Sequence, residues 1–324
     1  MIMKVITPGP LSTVQDGGRF GYMSTGFGSG GAMDLRAMRI ANTLVGNNEN
    51  DGVIEMTMMG MTVVFDCDAV IALTGANMQP KLIGADNEPK FDGGEVPMYQ
   101  TVQVAAGDKL TMGAAKSGMR GYLAVAGGFD IDPVMGSMST NMKVKLGGFQ
   151  GRKLQAGDRV PLRRASDLTQ TGTVKCDPEN DYPKVALVRV MFGPQEDYFT
   201  DKGIETFLNA LYSVSGQSDR MGVRLDGEKI ENKNGVDIIS DGIAYGSVQI
   251  PASGTPIIMM ADRQTTGGYA KIATVITADL YKIAQAKPGS FIRFQAVTEK
   301  EAVAALKADK KFLKQLQYQT YFAR

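Results

Sequence analysis

The sequence predicts a mainly β protein with a few helices, arranged as two tandem β domains related by internal duplication. The first observation behind this is punctuation. Apolar runs are short, rich in Val, Ile, Met and Thr, and separated by turn residues, with 39 Gly and 13 Pro in 324 residues; many short strands with many connections give that pattern. The second is a repeat. YQTVQVAAGDKLTMGAAKSGMRGYLAVA from Tyr99 aligns with YGSVQIPASGTPIIMMADRQTTGGYAKIA from Tyr245 with one inserted residue. Tyr99, Val102, Gln103, Gly121 and Tyr122 then pair with Tyr245, Val248, Gln249, Gly268 and Tyr269, and each half opens with a strand running into Gly-Pro. That period is too long for a solenoid and suits duplicated domains. The third is length, which exceeds a typical single domain.

Taken in order, Met1 to Thr7 reads as a strand stopped by Pro8-Gly9-Pro10. In the Gly-rich polar stretch Leu11 to Asp34 no Gly-Lys-Ser/Thr completes a P-loop, and no GxGxxG opens a helix after a strand. Asp34 to Leu44 spaces Leu35, Met38, Ala41 and Leu44 helically behind an acidic N-cap. Val53 to Asp66, Ala69 to Thr74, Val102 to Val104, Lys109 to Gly113 and Tyr122 to Ala126 are strands of a sheet or barrel, and Lys143 to Asp158 is a series of Gly-rich turns. The aperiodic stretch Asp167 to Asp181 separates a first domain over 1–166 from a second over 184–297, with the linker at 167–183. In the second half, Val185 to Phe192 is a strong strand and Asp197 to Tyr212 is helical in spacing. Val248 to Pro251, Pro256 to Ala261, Ile272 to Ile276 and Phe291 to Phe294 are further strands. Thr298 to Leu316 reads as an amphipathic helix opened by the capping box Thr298/Glu301, within a C-terminal region over 298–324.

Composition narrows the chemistry. With 43% hydrophobic and 21% charged residues the chain can bury a real core. Lys+Arg 35 against Asp+Glu 34 leaves no basic excess for phosphate backbones, so nucleic acid is not an expected partner. No apolar run approaches the roughly 18 residues of a membrane span, and the first ten residues lack a signal-peptide layout. Two cysteines, Cys67 and Cys176, fit neither a disulfide framework nor a zinc pattern, so reduced thiols and a cytoplasmic location are expected. His is absent, which removes the usual general base and any Ser-His-Asp triad; proton transfer falls to Asp, Glu, Lys, Tyr or water.

The stretch from Tyr245 to Leu280 combines apolar strand patterns with Asp262-Arg263-Gln264-Thr265-Thr266-Gly267-Gly268. Five consecutive hydrogen-bonding side chains exceed what a turn needs, and the Gly pair lets backbone approach a ligand. A polar hairpin tip gives the same composition. Two further polar groups stand between glycines: Gln15, Asp16 and Arg19, and Ser218, Asp219 and Arg220. Asn77 ends a strand, where it either enters a site or closes an Asx turn. Lys143, in Asn-Met-Lys, reads as an ordinary exposed lysine.

The motifs TPGPLSTVQDGGRFGY, SGGAMD, LTGAN, GYLAVAGGFD, SGQSDRMGVRLDG and VQIPASGTPIIMMADRQTTGGYAKIATVITADL together resemble the biotin-dependent carboxyltransferase-like family, also called KipA or allophanate hydrolase subunit 2. The resemblance runs in order through nearly the whole chain. It implies tandem cyclophilin-like β-barrels, in agreement with the repeat. Members occur as the carboxyltransferase portion of urea amidolyase and as the C subunit of ATP-dependent 5-oxoprolinase. With no ATP-grasp pattern and no Ala-Met-Lys-Met carrier lysine, the sequence is most similar to the latter, and no biotin is expected on this chain.

The resemblance therefore implies cleavage of 5-oxo-L-proline to L-glutamate with ATP hydrolysis, alongside a lactam-utilisation-type A subunit and a KipI-like B subunit, with ATP mostly on the partner. Such a site needs cations for carboxylate and phosphate, which Arg19, Arg220, Arg263 and Lys271 can supply. Polar donors come from Gln15, Asn77, Ser218, Gln249, Gln264, Thr265, Thr266 and the amides at Gly267 and Gly268. Asp16, Asp219 or Asp262 is either the general base or the partner of an arginine. No metal site is expected. The three polar loops are expected to meet in a cleft between the halves. Two other readings remain open: carboxyl transfer from a biotin carrier on another chain, and a non-catalytic KipA-type regulator of a kinase inhibitor.

Overall fold

The computed structural model describes residues 1–165, 172–174 and 182–322, so most of the expected linker, and Cys176, lie outside the described residues. The chain divides into two compact units. The first comprises Met1–Arg19, Asp34–Asp181 and Lys311–Arg324; the second comprises Phe20–Met33 and Tyr182–Lys310. Phe20–Met33 thus leaves the domain in which sequence order placed it, and the C-terminal region over 298–324 is divided between the two units. Phe20–Met33 belongs to the second unit and Lys311–Arg324 to the first.

The first unit contains β1 (Ile2–Thr7), β2 (Ser12–Gln15), α1 (Leu35–Leu44), β3 (Val53–Thr57), β4 (Thr62–Phe65), β5 (Ala69–Asn77), β6 (Lys81–Ile83), β7 (Thr101–Val104), β8 (Lys109–Thr111), β9 (Ser117–Val125) and β10 (Arg159–Pro161). They form two five-stranded antiparallel sheets, β10-β1-β4-β8-β6 and β2-β3-β9-β5-β7. Alternating apolar residues from both sheets enter one core: Met3 and Val5 of β1 and Val63 and Phe65 of β4 meet Ile54 and Met56 of β3 and Leu123 and Val125 of β9. The run of apolar residues in β5 is unbroken because α1 covers its other side. Asp34 caps α1 by accepting from the Ala37 amide at 2.9 Å, and the Thr74 hydroxyl donates to the Ala37 carbonyl at 2.7 Å.

The second unit contains β11 (Val185–Phe192), α2 (Asp201–Asn209), β12 (Tyr212–Val214), β13 (Gly222–Asp226), β14 (Asp237–Gly242), β15 (Ser247–Gln249), β16 (Ile257–Met259), β17 (Thr266–Tyr269), β18 (Lys271–Val275), α3 (Leu280–Gln285) and β19 (Phe291–Ala296). Seven of these strands close into a barrel in the order β11-β18-β15-β16-β13-β12-β19. Closure comes from the parallel pairing of β19 with β11, from Val185 opposite Phe291 to Val190 opposite Ala296. α2 packs on the barrel through Phe207, whose ring stacks on Phe294 at 4.4 Å. β14 and β17 form a separate two-stranded ribbon. The helix α4 (Glu299–Phe322) begins in this unit and ends in the first.

Several expectations are corrected by the structure. The helix expected over Asp197 to Tyr212 is shorter: the Thr200 hydroxyl accepts from the Gly203 amide at 3.0 Å and starts the helix there, and Tyr212 is already in β12. Thr266–Tyr269 is a strand rather than the tip of a polar loop, because β14, polar and exposed along most of its length, supplies a partner. The duplicated segments share element order but not pairing. β15 bonds both β16 and β18, whereas β7 bonds β5, which takes the place beside β9 that β15 takes beside β18.

Candidate functional site

Antiparallel pairing of β13 with β16, Gly222 opposite Met259, brings the Ser218–Arg220 turn to the start of the Asp262 stretch. Arg220 is buried, and its guanidinium donates from Nε to Asp262 Oδ2 at 2.8 Å and from Nη2 to Oδ1 at 3.1 Å. The Asp262 amide in turn donates to the Arg220 carbonyl at 2.8 Å. Asp262 is therefore the carboxylate that orients an arginine, and Nη2 of Arg220 reaches the Gly31 carbonyl at 2.6 Å. Asp219 shapes the turn by accepting from the Met221 and Gly222 amides at 2.8 and 3.1 Å. Ser218 accepts from the Arg224 amide at 3.0 Å.

Arg263 is 6% exposed and partnered differently. Nε donates to the Ile243 carbonyl at 3.0 Å, and Nη1 to Ser29 Oγ at 3.2 Å and the Met260 carbonyl at 3.3 Å. Its guanidinium carbon lies 5.3 Å from the centre of the Tyr245 ring, and the Tyr245 hydroxyl donates to the Met33 carbonyl at 2.8 Å. No carboxylate contacts Arg263 among the described residues. Burial in these neutral surroundings lowers its pKa. Nη2 makes no hydrogen bond among the described residues yet still reaches solvent.

Further along the same stretch, Lys271 on β18 is buried and donates to Asp241 Oδ2 on β14 at 2.9 Å. Its side-chain hydrogen bond to Lys271 is the main cause of the lowered pKa of Asp241. The Lys271 amide donates to Gln195 Oε1 at 3.2 Å. Gln249 lies opposite Lys271 in the β15–β18 ladder and is buried, with Nε2 donating to the Tyr269 carbonyl at 3.4 Å. A Cβ at Gly267 would meet Gln249 Nε2 at 2.9 Å and Gln264 Nε2 at 3.5 Å, so a bare backbone is needed where these amides converge. Thr265 accepts the Ile243 amide through its carbonyl at 3.0 Å. Thr266 and Gly267 pair with Gly242 and Asp241, and Gly268 follows in the same strand.

The candidates of the first unit are committed to its own framework. Asp16 accepts from the Gly18 amide at 2.8 Å, Ser137 Oγ at 2.7 Å, the Met138 amide at 2.6 Å and Ser139 Oγ. Arg19 is 1% exposed and donates to the Val134 and Ser139 carbonyls at 3.0 and 3.1 Å. Together they clamp the segment from Val134 to Ser139, and Gln15 Nε2 adds the Thr140 carbonyl at 3.2 Å. Asn77 closes an Asx turn by accepting from the Gln79 amide at 2.8 Å, the simpler of its two readings. Among the described residues no group of three acidic or thiol ligands is placed to hold a metal ion.

The model of the carboxyltransferase domain, subdomain A and B, matches residues 25–296 of this chain. The chain belongs to the carboxyltransferase-domain family. Within that family it is 39% identical over 321 residues to the 5-oxoprolinase C subunit of Escherichia coli, covering 99% of both chains. Against the 5-oxoprolinase C subunit of Haemophilus influenzae it is 40% identical over 305 residues, covering 94% of each. The crystal structure of the Kluyveromyces lactis urea amidolyase superposes with a TM-score of 0.86 at 28% identity, over 97% of this chain but 20% of that one. The shared fold of this family is thus the mainly β architecture described above, its second unit closed into a barrel.

Sequence reasoning assigned no role to Ser29, Asp241 or Gln195. Ser29 opens the SGGAMD motif, and that glycine-rich setting was the available signal. Asp241 and Gln195 lie 30 and 76 residues from Lys271, and it takes the β14–β17 ribbon and the pairing of β11 with β18 to bring them to it.

Proposed function

We propose that this carboxyltransferase-family chain is the C subunit of an ATP-dependent 5-oxoprolinase. In the cytoplasm it would act with a lactam-utilisation-type A subunit and a KipI-like B subunit, opening 5-oxo-L-proline to L-glutamate as ATP is hydrolysed. The observation that carries this reading is the end-to-end match, 99% of both chains, with a protein named as that subunit. The site chemistry supports it. A lactam is unreactive at neutral pH, and activation by ATP places negative charge on a substrate that already bears a carboxylate. This chain offers Arg263, backed by the oriented pair Arg220–Asp262, to such charge. No P-loop lysine is present in the Leu11–Asp34 glycine stretch, which supports placing ATP mainly on a partner.

The family match favours one second reading, carboxyl transfer from a biotin carrier on another chain. Reconstitution separates the two. The pure chain should form no glutamate, and adding the A and B subunits with ATP should start turnover. In that complex Arg263→Ala should lower kcat/KM about 100-fold, the cost of one preorganised cationic donor. Lys307→Ala, an exposed change on α4, should leave the rate unaltered. A folded, assembled complex that ignores 5-oxoproline but accepts carboxylate from carboxybiotin would replace this reading with the second.

A further inference from the structure

Arg263 is not the only group in the second unit with donors to spare. Ser29 is 6% exposed, and its Oγ accepts from Arg263 Nη1, which leaves the hydroxyl proton without an acceptor among the described residues. The amides of Ser29, Gly30 and Gly31 likewise donate to nothing among the described residues, although Ser29 and Gly31 are buried. Buried amides are paired in the great majority of cases, so those of Ser29 and Gly31 ask for an acceptor, and the half-buried Gly30 amide lies between them. The backbone here is built for close approach: Gly30 and Gly31 have φ of 58° and 93°, and a Cβ at Gly28 would come within 2.9 Å of the Arg263 carbonyl. The loop is also held in place, since the Gly31 carbonyl accepts from Arg220 and the Met33 carbonyl from Tyr245.

We infer that Ser29, the Ser29–Gly31 amides and Arg263 Nη2 form a binding site for a small oxyanion, a carboxylate or a phosphate group of the ligand. The guanidinium supplies charge, the hydroxyl and amides supply neutral donors, and successive amides in a glycine loop make a concavity of the kind that anions occupy. Arg220, whose charge is already matched by Asp262, positions the loop and does not touch the anion. This deepens the 5-oxoprolinase reading by naming the chain's own part in substrate recognition, and it rests on that reading only for the choice of probe.

Isothermal titration of the full chain tests it with three probes: 5-oxo-L-proline, inorganic phosphate, and 2-pyrrolidone, the same lactam without the carboxylate. One or both oxyanions should bind and the neutral lactam should not. Arg263→Gln should weaken binding at least about tenfold, and Ser29→Ala several-fold, as expected for charge-assisted and neutral hydrogen bonds respectively. Ser29→Ala removes one oxygen, so the site stays testable if Arg263→Gln fails to fold. Which oxyanion binds identifies the source. Absence of binding by either at millimolar concentration, or affinities unchanged in both variants, overturns the site. Arg263-dependent binding beside a reconstituted complex that cannot turn over 5-oxoproline would keep the site and remove the proposed reaction.

Discussion

At the scale of single residues, the second unit separates structural charge from available charge. Asp279 shows the first kind. Buried at the end of the short 3-10 turn Thr277–Asp279, it accepts from the Arg189 amide at 2.9 Å, from Arg189 Nε at 3.0 Å and Nη2 at 2.6 Å, and lies 3.2 Å from Lys282 Nζ. Burial pushes its pKa up, but the Arg189 hydrogen bonds outweigh that and hold it below the usual carboxylate range. A carboxyl depressed in the folded state stabilises the fold above its unfolded pKa and loses that contribution as pH falls through the folded value. Asp279→Ala should therefore cost about 2–3 kcal/mol in urea denaturation at pH 7, because Arg189 is only partly buried. The gap to the wild type should narrow as pH drops below about 4, the unfolded carboxylate value; a gap unchanged down to about pH 3 would show that packing, not charge, holds Asp279. Arg263 shows the second kind. The sequence displayed Arg220 and Arg263 equally well, since residue type is legible and partnership is not. Asp262 is adjacent to Arg263 but folds onto Arg220, 42 residues away.

Elements differ in how far they could be read. β11 was legible over Val185–Phe192 and α1 behind Asp34 because each carries its own signal, a β-branched run in one case and a cap in the other. The ribbon β14–β17 was not, because β14 is exposed along most of its length and shows no apolar alternation; its strand character comes from the partner alone. The capping box of α4 is realised: Thr298 Oγ1 accepts from the Glu301 amide at 3.3 Å, and Glu301 Oε2 accepts from the Thr298 amide at 2.8 Å. That backbone hydrogen bond lowers the Glu301 pKa. Thr298→Ala should destabilise the helix by about 1 kcal/mol and speed amide exchange over Glu299 to Ala302, whereas Thr298→Ser should restore protection. Exchange unaltered in the alanine variant would mean that α4 is held by its packed C-terminal half alone, where Leu313 and Leu316 are buried and Phe312 lies 5.4 Å beneath Arg36.

For the whole molecule, the duplication divides the chain at the linker, with one domain wholly within 1–166 and the other within 184–297. The residue content of the units says otherwise. The second unit includes Phe20–Met33, which sequence order assigns to the first domain. That segment brings Met33, 1% exposed in the barrel core, the carbonyl that takes the Tyr245 hydroxyl, and Ser29 beside Arg263. Nothing local could reveal this, since a glycine-rich stretch carries no periodicity and its partners lie far away in sequence, Gly31 to Arg220 being 189 residues apart. Residues 184–324 expressed alone should accordingly lose both stability and the oxyanion site. Burial of one methionine side chain is worth roughly 1.5–3 kcal/mol, so joining residues 20–33 to the start of 184–324 through a flexible linker should raise the thermal midpoint by about 5 °C or more. The same fusion should recover Arg263-dependent phosphate or 5-oxoproline binding in titration. Equal midpoints and equal binding with and without the segment would show that the barrel is complete on its own and that residues 20–33 only decorate it.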